Sequence, residues 1–271
     1  MFYISDEEFT LIASFIKEHC GINLKNEKKT LLVGRLGSIV KEHNLNSFME
    51  YYQLLKKDQE GKILNQLIDK ITTNHTYFMR EAEHFNYLSQ EVLPYMKNTI
   101  KDKDLRVWCA ASSTGEEAYT LAIILWEFFN NETYGWDKKL LATDLSLSVL
   151  KEAEEGIYSI DKLKNFPKIW ILNYFDKISE DHYQAKKSLR REIIYRRFNL
   201  LEPQYPFRKK FHIIFCRNVM IYFDNDTKAT LINKLYDSLE YGGYLFIGHS
   251  ESISRDTTSF QYIKPAVYRK M

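Results

Sequence analysis

The sequence predicts an α/β protein in two parts: an all-helical N-terminal unit, then a parallel-sheet unit with helices on its faces and a small antiparallel insertion. Three observations carry this. Residues 1 to about 72 place apolar residues at helical spacing between capping boxes. From about Leu105, short apolar runs rich in β-formers alternate with helical stretches. Between Tyr158 and about Arg197 that alternation lapses. At 271 residues the chain also exceeds the usual single core.

Each element has a local cause. Ser5 and Glu8 form a capping box, Phe9, Ile12, Ala13 and Ile16 line one helical face, and Gly21 stops the helix. Lys28 to His43 reads as a second helix, Ser47 with Glu50 opens a third, and Gly61 to Thr72 supplies a fourth, giving a small bundle. The polar segment "TTNHTYFMREAEHF" marks the boundary. Residues 1–73 are therefore expected to form the bundle, 74–100 a linker and first helix, and 101–271 the α/β domain, with the insertion at about 168–198. Strands are expected at "LRVWCA", "KLLATD", "RRFNL", "FHIIFCR", "GGYLFIGH" and a closing "AVYRK". The insertion ends in the period-two stretch "EIIYRRF". Its basic residues Lys186, Lys187, Arg190, Arg191, Arg196 and Arg197 suit a charged strand edge as well as an acidic partner.

Composition narrows the function classes. With 45% hydrophobic and 27% charged residues the chain reads as a soluble globular protein. A net charge of +2 argues against nucleic-acid binding as its main business. Cys20, Cys109 and Cys216 are too few and scattered for a disulfide framework or a zinc site, so no metal and a reducing cytoplasm are expected. The N-terminal "MFYISDEEFTLI" carries acids where a signal peptide is positive, and no apolar run reaches the ~18 residues of a membrane span.

The polar signals sit at strand ends, where open α/β sheets bind ligands. In "RVWCAASSTGEEAYTLAI" a strand turns into a helix through Ala110, Ala111, Ser112, Ser113 and Gly115, small enough for close approach. Glu116 and Glu117 follow, and would repel a phosphate; a carboxylate there suits a sulfonium, an ammonium or a ribose, or simply complements the helix dipole. Asp144 closes "LLATD", a position suited to ribose hydroxyls. Asn199 closes "RRFNL", ready to meet an adenine edge or cap the next helix. Cys216, Arg217 and Asn218 close "FHIIFCR", where a buried Arg needs a partner.

The motifs "TTNHTYFMRE", "VWCAASSTGEEAYTLAI", "ATDLSLSVLKEAEEGIY", "FNLLE", "IIFCRNVMIYF" and "GHSES" together resemble, in order, those of the CheR chemotaxis receptor methyltransferases. That resemblance implies a Rossmann-like methyltransferase domain that uses S-adenosyl-L-methionine, with S-adenosyl-L-homocysteine as product, to esterify glutamate side chains on the cytoplasmic helices of chemoreceptors. It implies Asn74, Thr76 and Arg80 as cofactor contacts, Glu117 at the cofactor, Asp144 at its ribose, Asn199 and Leu200 beside the adenine, and Cys216 and Arg217 lining the same pocket. Arg80 and Tyr222 are implied to handle the methyl acceptor. The expected setting is cytoplasmic, at receptor arrays, as a monomer without nucleic acid or membrane insertion.

The sequence departs from the family in three places. His212 stands in "FHIIFC" where the family commonly has an aspartate. The helix from Lys28 to His43, which in the family presents several arginines to the receptor, keeps Arg35 and Lys41. Tyr174 to Asn199 is glycine-free, so the protein is expected not to use the glycine-containing loop that tethers some members to a receptor C-terminal pentapeptide. Two rivals remain at this level: a same-fold methyltransferase with another acceptor, disfavoured because no Asn/Asp-Pro-Pro-aromatic signature occurs, and a non-catalytic receptor-binding or cofactor-sensing module.

Overall fold

The computed structural model describes residues 3–130, 135–254 and 258–271. Its first helix, α1 (Asp6–Cys20), starts on the expected box: Ser5 Oγ accepts from Glu8 N and Glu8 Oε2 accepts from Ser5 N at 2.8 Å. α2 (Lys29–Glu42), α3 (Phe48–Lys57) and α4 (Lys62–Ile71) complete the bundle. At α3 only half of the second box closes, because Glu50 Oε2 accepts from Asn46 N and not from Ser47 N. Ile12, Ile16, Leu32, Leu36, Phe48, Tyr51 and Leu67 are fully buried between the four helices. Each such apolar side chain contributes on the order of 1.5–3 kcal/mol.

Arg35 on α2 is spent within the protein. Its Nη1 donates to the carbonyls of Ile71 and Thr72, and its Nη2 to Thr73 Oγ1 at 3.0 Å. A cation on the last carbonyls of α4 satisfies groups the helix leaves open and ties α2 to the linker. Arg35 is thus engaged within the protein, whereas Lys41 stays exposed.

Among the described residues the α/β domain holds ten strands: β1 (Val107–Cys109), β2 (Leu140–Asp144), β3 (Ile157–Ser159), β4 (Phe175–Lys177), β5 (His182–Ala185), β6 (Ile193–Arg197), β7 (Phe211–Phe215), β8 (Leu239–Phe246), β9 (Phe260–Lys264) and β10 (Val267–Lys270). Seven form one sheet in the order β6-β2-β1-β7-β8-β10-β9, parallel from β6 to β8, with β10 antiparallel to β8 and β9. The central strand β1 is buried on both faces, and its alternating side chains enter two cores. Val107 and Cys109 pack with α5 (Ala82–Tyr87), α6 (Leu93–Thr99) and α7 (Glu116–Phe129); Trp108 packs on the other face, where α11 (Asn225–Ser238) lies. The remaining helices are α8 (Leu147–Glu155), α9 (Lys168–Tyr174) and α10 (Lys187–Arg190).

The antiparallel insertion is a three-stranded sheet, β3-β5-β4, so it begins near Ile157 and is complete at Ala185, earlier than the expected 168–198. "EIIYRRF" belongs instead to the main sheet: β6 runs parallel to β2 at its edge. Ile193 and Tyr195 are buried while Ile194 and Arg196 are exposed, and an edge strand covered on one face alternates just as a hairpin strand does. β9 was not expected; it is an outer edge strand whose middle residues are exposed.

His212, on β7, faces Arg106: its Nδ1 accepts from Arg106 N at 3.1 Å. The Arg106 guanidinium is met by Asp104 at 2.7 Å and Glu240 at 2.9 Å, which supply the negative charge that position 212 lacks. Burial and Arg106 lower the His212 pKa to about 4; burial and Arg217 lower that of His84 to about 3. Both stay neutral when folded but take a proton near pH 6.5 when unfolded, so stability falls as pH drops from 6.5 toward 4. Melting curves of His212→Gln are expected to show a flatter pH dependence in that window. An unchanged slope would contradict the assignment.

Candidate active site

The β1–α7 turn is built for close approach. Gly115 sits at φ +95°, and a Cβ there would lie 2.8 Å from Tyr158 Oη and 2.9 Å from Ala153 Cβ on α8, so a side chain would be strained and would crowd α8. Ser113, also at positive φ, turns its N–H to Asp144 Oδ2 at 2.8 Å. The two glutamates that follow diverge. Glu116 is buried, pairs with Lys162 Nζ at 2.8 Å and accepts from Thr114 Oγ1 at 2.7 Å. Glu117 enters the cleft, where Cys109 Sγ donates to its Oε1 at 3.1 Å and Arg217 Nη1 lies 3.0 Å from its Oε2.

That cleft is open to solvent, with an empty volume of about 1050 Å³ when its mouth is included. It brings together Asn74, Thr76, Arg80, Glu117, Asp144, Asn199, Leu200, Arg217 and Tyr222 along its wall. Cys216 is the exception. It is fully buried beside Trp108 and Ile214, because Ile214 and Cys216 share one face of the strand end while Arg217 takes the other. Cys216 is therefore removed from the pocket-lining set. Burial pushes its thiol pKa well up.

Acids form the floor. Burial raises the pKa of Asp144, against the pull of the Ser146 and Ser113 N–H groups; burial also raises that of Glu117, against Arg217. Arg217, whose side chain is 1% exposed, bridges Glu117 and Glu81, donating to Glu81 Oε2 at 3.1 Å and stacking on Phe85. Burial works against the charge on Glu81, but Arg217 and Asn218 Nδ2 outweigh it and hold its carboxyl below the usual range. Glu81, His84 and His249 place ligand atoms within 4.8 Å of one another. Glu81 is already taken by Arg217 and Asn218, and a guanidinium beside it opposes a second cation, so the trio fits an ion-pair network better than a metal.

The helical unit supplies part of the wall. Cys20, Ile22, Ile71, Thr72 and Thr73 line the cleft beside residues of the α/β domain. Contacts between the two units ring it: Asn23 N donates to Tyr222 O at 2.8 Å, Asn199 Nδ2 to His19 O at 2.8 Å, Ser146 Oγ to Asp69 at 2.6 Å, and Lys17 pairs with Asp224. Asn199 Oδ1 also accepts from Leu201 N, so both polar atoms of its side chain are engaged and Nδ2 clasps α1. Nothing in the sequence marked Cys20 or Ile22 for the site, since each reads locally as helix end or linker, and Glu81, though it closes the motif "TTNHTYFMRE", was given no role there. At the other side of the cleft Arg80 Nη1 donates to His75 O at 2.8 Å, its guanidinium 5.9 Å from the Tyr77 ring.

An open sheet in this order, with β10 antiparallel and acids at the start of α7 and the end of β2 beside one cleft, together with the match of the α/β domain to a SAM-binding methyltransferase model, makes this an S-adenosylmethionine-dependent methyltransferase. The comparisons narrow the class. Residues 74–269 match the family model "CheR methyltransferase, SAM binding domain" and residues 7–72 match "CheR methyltransferase, all-alpha domain". Over 270 residues the chain is 42% identical to a chemotaxis protein methyltransferase of Borreliella burgdorferi, covering 98% of this chain and 95% of that protein. It is 33% identical over 268 residues to the chemotaxis protein methyltransferase of Salmonella typhimurium, covering 98% and 90%. The chain belongs to the CheR methyltransferase family. Among the described residues no helix is long and apolar enough to cross a membrane.

Proposed function

We propose that this methyltransferase esterifies glutamate side chains on the cytoplasmic helices of chemoreceptors. The observation that carries the reading is the pairing of an acidic floor, Glu117 and Asp144, with Arg80 and Tyr222 on the wall of the same cleft. Asp144 suits ribose hydroxyls and Glu117 the cationic amino-acid end of the cofactor, with Asn74, Thr76, Arg217, Asn199 and Leu200 closing round it. The cofactor supplies a methyl group activated on a sulfonium. A glutamate has an unperturbed pKa near ~4.3, so the acceptor arrives as an ionised nucleophile and no residue has to take a proton from it. What the chain supplies is placement and exclusion of water, because charge is neutralised in the transfer. Arg80 keeps donors beyond the one given to His75, and these orient one carboxylate oxygen; the Tyr222 phenol donates one hydrogen bond. The exposed face of the helical unit, including Lys41, meets the acidic receptor helix. A short glycine-free turn joins β4 to β5, which supports independence from a pentapeptide tether.

Kinetics test the chemistry. Arg80→Ala is expected to lower kcat about 100-fold and Tyr222→Phe about 10-fold, by misplacement, with both losses constant from pH 7 to 9 (~2 units). Recovery of either variant at high pH would mean that a base is required and that the acceptor is not a carboxylate.

A further inference from the structure

The motif "GHSES", Gly248 to Ser252, has so far no task, yet it grips the loop that carries Tyr222. Glu251 Oε2 accepts from Asn218 N at 2.9 Å and from Gly248 N at 2.6 Å, and its Oε1 accepts from Met220 N at 2.7 Å. One carboxylate thus gathers donors from its own turn and from a loop some thirty positions earlier. Each is a charge-assisted bond in a partly buried place, where it is strong and costly to leave unmade.

The gripped loop would not hold this shape unaided. Asn218 stands at φ +59°, a left-handed conformation, and its side chain lies so close to Gly248 that a Cβ there would come within 2.3 Å of Nδ2. The chain then makes a single 3-10 turn, Met220–Tyr222, which ends on the half-buried ring of Tyr222 at the cleft. On the near side of the loop Arg217 has anchors of its own in Glu117, Glu81 and the Arg80 carbonyl. The Tyr222 ring packs against the core that holds Trp108 and Met220, and its backbone is held by Asn23 N and by its own turn, but its place at the cleft depends on the course of this loop.

We infer that Glu251 is a positioning residue for methyl transfer: it fixes residues 218–222 so that the Tyr222 phenol stands at the acceptor end of the cleft. The inference rests on the reading of Tyr222 given above. Arg217 shares Glu81 with Asn218 but keeps Glu117 and the Arg80 carbonyl as anchors outside the loop, so loosening the loop is expected to move the acceptor contact more than the cofactor contacts. A glutamine at 251 keeps the shape but offers one carbonyl oxygen and one NH2, so at least one of the three backbone donors then faces another donor.

The experiment compares wild type, Glu251→Gln, Tyr222→Phe and the double variant, with a chemoreceptor cytoplasmic fragment as acceptor. Glu251→Gln is expected to lower kcat about 10-fold while S-adenosylhomocysteine affinity by calorimetry stays within about 3-fold. In the Tyr222→Phe background the same change is expected to cost no more than about 3-fold, because two residues acting as a unit are not additive. Amide exchange at Met220 and Tyr222 is expected to quicken in Glu251→Gln, a readout that needs no acceptor. Glu251→Asp, shorter but charged, serves if the glutamine variant fails to fold, with the same split expected. Multiplying losses, a parallel fall in cofactor affinity, or unchanged exchange would overturn the inference alone. Full activity of Tyr222→Phe would overturn the reading of Tyr222 and the inference with it.

Discussion

Asp144→Ala is expected to weaken S-adenosylhomocysteine binding about 100-fold, on the order of 3 kcal/mol, when titrated by calorimetry. Two losses add. A carboxylate beneath a ribose accepts from both hydroxyls, and each bond to a charged acceptor contributes roughly 1.5–3 kcal/mol. The same carboxylate also orders the cleft before any ligand arrives, since Oδ2 takes Ser113 N at 2.8 Å and Oδ1 takes Ser146 N at 3.0 Å. Without it the positive φ of Ser113 loses its restraint, and the β1–α7 turn relaxes. Asp144→Asn keeps one acceptor oxygen and is expected to lose only about 10-fold. Equal affinity in wild type and Asp144→Ala would remove this residue from the site.

Arg217→Ala is expected to have the largest effect on stability of any single change in the cleft. The side chain is 1% exposed and lies between Glu117 and Glu81, so its loss leaves two carboxylates facing each other without a cation. Removing one member of a buried ion pair costs about 3–5 kcal/mol, which for a chain of this size lowers the melting temperature by roughly 10 °C. The pKa of Glu117, already raised by burial, then rises further because the charge that opposes the shift is gone. Cofactor affinity of the variant is therefore expected to fall more steeply than that of wild type as pH is lowered. Arg217→Lys keeps a charge but not the fork that reaches both acids, and an intermediate melting temperature is expected. A melting temperature within a degree or two (~2 °C) of wild type in Arg217→Ala would show that the bridge is not what holds these acids.

The sequence was most legible where structure is set locally. The Ser5–Glu8 box opens α1 because both partners lie within one turn, and the strand-turn-helix at Arg106 to Ile123 follows from small residues between apolar runs. Glu117 and Asp144 could be picked out because parallel strands deliver their carboxyl ends to one edge of the sheet. Legibility failed where a residue's role depends on what lies across the fold. Arg35 reads as a surface cation, yet the end of α4 comes within its reach. Ile194 and its neighbours alternate as a hairpin strand would, and only the partner strand β2 distinguishes the two cases. Cys216 adjoins Arg217 in sequence but points to the opposite face, which strand geometry alone could have shown. Cys20 and Ile22 become cleft wall only when the bundle docks on the α/β domain.

The acid-floored cleft is proposed to pass a methyl group to a carboxylate. Incubating the protein with methyl-labelled S-adenosylmethionine and a chemoreceptor cytoplasmic fragment, then treating the product with mild alkali, tests it most directly. Label is expected on glutamate residues of the fragment, released by alkali as methanol, and far less of it with Asp144→Ala at the same cofactor concentration. Label that survives alkali, as a methylated nitrogen or carbon would, or a fragment that takes up none while the protein binds the cofactor, would contradict it.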